Sequence, residues 1–161
     1  TNKYCVAYKI NTAFYESLGA KGWVSMKKTV DYINNQFPEI FTIADAKRGD
    51  IGNTSKMYAQ SFFVEMNFDS VTINPYMGSD SVKPFLEFEN KIAVLLGLTS
   101  NIGANDIQLK TTSNDNFIFM EMIKSSKEFF LTLPLAVANI TIKFFHSFSS
   151  SGRGIIELID W

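Results

Sequence analysis

Ile43-Ala44-Asp45-Ala46-Lys47-Arg48-Gly49-Asp50-Ile51-Gly52-Asn53-Thr54 sets an acid and a base two residues apart at the end of an apolar run, then adds a second acid in the turn. Side chains alternate along a strand, so Phe41, Ile43, Asp45 and Lys47 share one face, and Thr42, Ala44 and Ala46 the other. Two opposite charges then leave the strand side by side. Asp50 follows in a glycine-flanked loop, and Gly52-Asn53-Thr54 reads as a helix start with Asn53 or Thr54 as N-cap. A strand that ends in charged residues and feeds a helix is how α/β enzymes build sites at the carboxyl ends of their strands. A lone D-x-K is also the pattern of a surface ion pair, so the neighbouring segments have to decide.

Those segments alternate in type. Residues 5–9 read as a short apolar strand. Residues 13–36 read as a helical segment broken near Gly19 and Gly22, with Trp23, Met26, Val30 and Ile33 at helical spacing and Pro38 closing it. A strand over 40–47 is followed by a helix over 54–66, with Met57, Phe62 and Met66 as core contacts. Then come a strand over 70–75, a helix over 79–88, an almost wholly apolar strand over 92–98 and a helix over 116–129. Continuous apolar strands alternating with helices predict a parallel sheet buried on both faces. Right-handed crossovers would gather the strand ends at one rim, so Lys9, Asp45, Asn74, Thr99 and Ser100 are expected to surround one site.

Composition narrows the classes. A chain of 161 residues, 46% hydrophobic and with net charge −1, is long enough for one well-cored domain and shows no basic excess for nucleic acid. Cys5 is the only cysteine and His146 the only histidine, which excludes a disulfide framework or a His/Cys metal cluster within one chain. Cys5 reads as a small buried hydrophobe. The amino terminus carries no signal-peptide pattern, making a cytoplasmic protein the default. The uncharged run over 129–142 contains Pro134 and Asn139 and is short for a membrane span, so it reads as a buried segment.

Three segments carry a resemblance. Asp45-Ala46-Lys47-Arg48-Gly49-Asp50-Ile51-Gly52-Asn53-Thr54 resembles the D-x-K-R-x-D-I-G-N-T signature of the orotidine 5'-phosphate decarboxylases. Tyr8-Lys9-Ile10-Asn11-Thr12-Ala13-Phe14-Tyr15-Glu16 is similar to that family's Y-K-x-N-x-A-F-Y-E, with Ile10 where proline is expected. Leu98-Thr99-Ser100-Asn101-Ile102-Gly103-Ala104-Asn105-Asp106 is similar to its L-T-S-N-x-G-A-N-D. The matches fall in the family's order, and the resemblance runs from about Tyr4 to about Phe129. It implies a (β/α)8 TIM-barrel type of α/β fold and conversion of orotidine 5'-monophosphate to UMP and CO2 in pyrimidine biosynthesis, with no metal and no organic cofactor. By resemblance Lys9, Asp45, Lys47 and Asp50 form an alternating catalytic array in which Lys47 protonates C6. Asn11, Ile51, Thr54 and Ser100 would contact substrate. The family acts as a homodimer in which Asp50, Ile51 and Thr54 reach the neighbouring site. Residue by residue, Lys9 could also be a snorkelling strand-end lysine, Asn11 a helix cap, Ser100 a turn serine and Arg48 a maker of surface or interface ion pairs.

Length pulls the other way. A complete barrel of this type takes about 250 residues, so the expectation is an incomplete barrel whose strands match the second to fifth, with residues 1–129 as the partial decarboxylase domain and 130–161 as a divergent tail. Two readings of the tail stand open. Ser151-Gly152-Arg153-Gly154-Ile155-Ile156 weakly resembles the family's S-S-R-G-I-I, whose arginine grips the substrate phosphate, although Arg153 also reads as a solvated tail residue. Alternatively, residues 148–154 permit codons that would spell F-L-L-P-G-V one base later, which matches the family's P-G-V-G strand and implies a frameshift. The competing functions are a catalytically impaired remnant of the decarboxylase and another phosphate-binding barrel, such as a hexulose-phosphate synthase, which shares D-x-K-x-x-D.

Overall fold

The computed structural model describes residues 2–129 and 136–138; Arg153 and most of the 130–161 tail lie outside the described residues. The chain divides into two compact units, the first ending at Ala93 and the second beginning at Val94.

The first unit follows the expected alternation. A 3-10 turn at Asn2–Tyr4 precedes β1 (Ala7–Asn11), α1 (Thr12–Glu16), α2 (Ala20–Gln36) and β2 (Phe41–Arg48). Next come α3 (Gly52–Gln60), a π-helical continuation at Ser61–Glu65, β3 (Ser70–Ile73), a 3-10 turn at Pro75–Met77 and α4 (Ser79–Leu86). β1, β2 and β3 lie side by side in chain order and are parallel. β4 (Ile92–Leu96) starts at the end of this unit, where the Ile92 amide donates to the Asp69 carbonyl at 2.9 Å. The first helical segment breaks at Gly19, which takes φ 61° as the N-cap of α2, and a Cβ on Gly22 would stand 1.7 Å from the Tyr15 carbonyl oxygen, so α1 and α2 meet only where a side chain is missing.

The core lies between the sheet and these helices. Met26, Val30 and Ile33 of α2 are buried, as their spacing predicts. Phe62 sits 6.2 Å from both Trp23 and Phe68, and Phe63 sits 5.5 Å from Phe88, distances at which tilted aromatic pairs attract. Met57 departs from its expected core role and is 55% exposed. The cause is helix phase. Gly52 takes φ 52°, a left-handed bend suited to glycine, and the helix begins there with Ile51 at the N-cap. Asn53 and Thr54, the expected caps, therefore fall in the first turn; Ser55, Ala59 and Phe62 face inward and Met57 faces out. Cys5 is half-buried rather than buried, and its thiol donates to the Ala7 carbonyl at 2.9 Å.

At the amino end of the sheet, away from the charged stretch, Thr42 and Asp69 tie β2 to the start of β3. The Thr42 amide and hydroxyl both donate to Asp69 Oδ2 at 2.8 Å, and the Asp69 amide donates back to the Thr42 hydroxyl at 3.0 Å. Polar pairing at this end of parallel strands serves stability rather than chemistry. Thr42→Val keeps the shape but strands the Asp69 amide, and is expected to lower stability by about 1–3 kcal/mol. The check is a lower urea midpoint with an unchanged slope.

The second unit contains the rest of β4, a 3-10 turn at Ile102–Asp106, α5 (Ile118–Phe129) and β5 (Ala136–Ala138). β4 is almost wholly buried, and β5 pairs with it in parallel, Val94 against Ala136 and Leu96 against Ala138. β5 falls in the tail, where the sequence offers no strand-and-helix punctuation.

Candidate functional site

β1 and β2 run parallel with Lys9 beside Ile43 and Asn11 beside Asp45. Lys9 is therefore the diagonal neighbour of Asp45, within reach of a long side chain. Its ammonium donates to Asp45 Oδ2 at 2.7 Å, while the Lys47 ammonium donates to Oδ1 at 2.5 Å. The Asp45 side chain is only 2% exposed, whereas those of Lys9 and Lys47 are 23% and 42% exposed. A buried carboxylate thus carries one ammonium on each oxygen, with Lys9 arriving from the neighbouring strand as its place at a strand end suggests.

Two effects compete at Asp45. Burial strips water from the carboxylate and pushes its pKa up; the hydrogen bonds from Lys47 and Lys9, reinforced by their charges, outweigh this and hold it below the ordinary 3.8. Asp45 is therefore an anion at neutral pH despite its burial.

Lys47 reaches Asp45 by a route that simple alternation does not describe. Ala44 pairs with Val71 and Arg48 with Ile73, so β2 advances four residues while β3 advances two. The excess is a bulge, and within it Lys47 takes the left-handed conformation, φ 48°. Thr72, buried on β3 opposite the bulge, accepts from the Ala46 amide at 3.0 Å and the Lys47 amide at 2.9 Å. Its hydroxyl stands 3.2 Å from Asp45 Oδ1 and 3.4 Å from the Ala44 carbonyl. Thr72 is the participant that the sequence conceals: in SVTINP it looks like an ordinary β-branched strand residue.

The surrounding residues brace this centre. Asn11 caps α1, its side chain accepting from the Ala13 amide at 3.1 Å, and the buried Thr12 hydroxyl donates to the Asp45 carbonyl at 3.5 Å. Arg48 forms its ion pair within the chain, with Glu16 at the end of α1, rather than on an outer surface. Its guanidinium lies 5.4 Å from the Tyr58 ring centre and 5.3 Å from that of Phe62. These contacts lock the segment after Lys47 to the segment after Lys9.

The remaining sequence-derived residues are distributed as follows. Asp50 is half-buried, with Oδ1 accepting from the Ile51 amide at 2.8 Å. Ile51 and Thr54 are exposed, and among the described contacts none joins these three residues to Asp45. Ser100 belongs to the second unit and is exposed in a loop closed by its neighbours: the Thr99 amide donates to Gln108 Oε1 at 2.7 Å and Gln108 Nε2 donates to the Thr99 hydroxyl at 2.8 Å. Among the described residues no cluster of three or more His, Cys, Asp or Glu could hold a metal ion. What the array can do is present two ammonium groups to an anion and release a proton from the more exposed of them.

Known proteins resemble this chain in sequence and in fold. The family model described as Orotidine 5'-phosphate decarboxylase / HUMPS family matches residues 1–132. The orotidine 5'-phosphate decarboxylase of Christiangramia forsetii is 57% identical over 127 residues, which are 79% of this chain and 46% of that protein. That of Flavobacterium johnsoniae is 58% identical over 127 residues, again 79% and 46%. Among solved structures, the OMP decarboxylase of Leishmania donovani superposes with a TM-score of 0.80 at 34% identity, covering 86% of this chain and 54% of that one. The chain spans about half the length of the curated relatives it matches. The fold is of the (β/α)8-barrel type; among the described residues, β1, β2 and β3 are parallel neighbours and β4 and β5 form a further parallel pair.

Proposed function

Since the chain belongs to the orotidine 5'-phosphate decarboxylase / HUMPS family, we propose that it serves the decarboxylation of orotidine 5'-monophosphate to UMP, through the array of Lys9, Asp45 and Lys47. The observation that carries this reading is the buried Asp45 carboxylate with a separate ammonium on each oxygen. In the reaction the bond between C6 and the departing carboxylate breaks, CO2 leaves, and the electron pair stays on C6. Fixed positive charge near that carbon stabilises it, and the Lys47 ammonium transfers a proton to it. Lys47 suits the donor role because its side chain is the more open of the two lysines. Asp45, as an anion beside the substrate carboxylate, would favour expulsion of CO2, and binding energy from the remote phosphate would offset that repulsion. This chemistry calls for neither a metal nor an organic cofactor.

Asn11 and Ser100 are the proposed substrate contacts within the chain, with Arg153 as a candidate for the phosphate. Residues 1–129 are read as the decarboxylase domain and 130–161 as a divergent tail, a division that sequencing the codons across 129 to 161 would test. No helix among the described residues is long and apolar enough to cross a membrane, and we read the protein as cytoplasmic. A hexulose-phosphate synthase shares D-x-K-x-x-D; the β1 lysine on Asp45 and the names of the curated relatives favour the decarboxylase. The deciding experiment is UMP formation from orotidine 5'-monophosphate by the full gene product, and no conversion would overturn the reading, leaving the impaired remnant.

The partner is read as a second copy, with Asp50, Ile51 and Thr54 crossing into the neighbouring site. Their position on the loop and first turn of α3, outside the contacts of their own Asp45, supports this. If so, Asp50→Ala and Lys47→Ala proteins, each inactive, regain activity when mixed, because one of the two sites in a mixed dimer keeps both residues. At equal concentrations about a quarter of the parental activity should return, as random pairing in a two-fold dimer dictates. Activity that stays at the sum of the two inactive proteins would place Asp50 in its own site.

A further inference from the structure

A bulge leaves backbone amides without a ladder partner, and a buried amide without an acceptor is costly. Here the two affected amides, Ala46 and Lys47, converge on one oxygen, Thr72 Oγ1, at 3.0 and 2.9 Å. A hydroxyl has two lone pairs and one proton. With both lone pairs engaged, its proton is left for Asp45 Oδ1 at 3.2 Å or the Ala44 carbonyl at 3.4 Å, and the ionised oxygen is the stronger acceptor. One buried side chain therefore touches both ends of the Asp45–Lys47 unit. It does so where Lys47 holds φ 48°, a conformation that an unbranched L-residue leaves unless its surroundings enforce it.

We propose that Thr72 is a positioning residue for the Lys47 ammonium, its hydroxyl holding the two bulge amides and so fixing the left-handed turn that aims Lys47 at Asp45. The proposal rests on the reading of Lys47 as proton donor, but its structural half can be measured without that reading. Thr72 touches no reacting atom; it acts through the backbone of Lys47.

The test compares Thr72→Val, which keeps the shape and removes the hydroxyl, with Thr72→Ser, which restores it. Hydrogen exchange at the Ala46 and Lys47 amides is expected to quicken at least about tenfold in Thr72→Val, as for a locally opened segment, and to return to the parental rate in Thr72→Ser. In the full gene product, kcat is expected to fall about 10²-fold, the scale of an ångström-size misplacement, while KM stays near the parental value. Thr72→Ser should restore kcat. Thr42→Val, a buried threonine at the opposite end of the sheet, should lose stability and keep kcat, which separates positioning from general weakening. Should Thr72→Val fail to fold, Thr72→Cys carries the same expectation, since a thiol is a weak acceptor. A Thr72→Val protein with parental kcat, or a Thr72→Ser protein no better than Thr72→Val, would overturn the proposal. If the parent makes no UMP, the decarboxylase reading fails by itself; unchanged exchange at Ala46 and Lys47 would then overturn the Thr72 role independently.

Discussion

Lys47→Ala is expected to leave less than about 10⁻³ of the parental rate of UMP formation, within the range for loss of a positioned proton donor. Lys9 cannot substitute. Its ammonium is held on the other oxygen of Asp45 at 2.7 Å and its side chain is 23% exposed, against 42% for Lys47. The rate of the parent should be the same with and without a chelator, since the array supplies charge and proton from side chains alone. UMP production followed at saturating substrate makes the comparison. A Lys47→Ala protein that keeps most of its rate, or a parent that needs added metal, contradicts the proposed mechanism.

Asp45→Asn is expected to cost about 3 kcal/mol of folding stability, the lower end for a broken buried pair, because Lys47, with a side chain 42% exposed, is open enough to turn toward water. The substitution retains the shape and removes the charge, so two ammonium groups then face a neutral amide. The effect has a definite pH dependence. The folded-state pKa of Asp45 lies below the ordinary 3.8, so the unfolded chain binds the proton more readily and ionisation favours the folded state above that pH. That contribution is complete well above 3.8 and disappears as pH falls through the lower folded value. Urea denaturation of parent and variant should therefore show a constant gap near neutrality that closes in acid. A gap that widens in acid, or is missing at neutral pH, would mean that the lysines do not hold Asp45 ionised.

The parts of this site that were legible in the sequence depend on local periodicity. The strand period and an upstream lysine at a neighbouring strand end are enough to bring Lys9 to Asp45, since parallel pairing supplies the rest. Asn11 as a cap is equally local. What escaped depends on partners distant in sequence. The bulge at Lys47 exists because β3 advances two residues where β2 advances four, and nothing in residues 43–54 announces it. Thr72 acquires its role from that mismatch alone. Met57 faces outward because the helix phase is set by the bend at Gly52, five residues before it. β5 is not legible because Ala136–Ala138 is a three-residue strand in an uncharged run, defined by its pairing with β4 rather than by its own pattern.

The left-handed backbone at Lys47 sets two demands against each other. On conformational grounds the position suits glycine or asparagine, and lysine there costs about 1–2 kcal/mol. On the proposed mechanism only lysine will serve. Every folded molecule carries that strain, whether or not substrate is bound. Selection for heat resistance alone, blind to turnover, would thus have a standing incentive to replace Lys47 with a residue at ease in a left-handed turn, and the sturdier protein it returned would be inert.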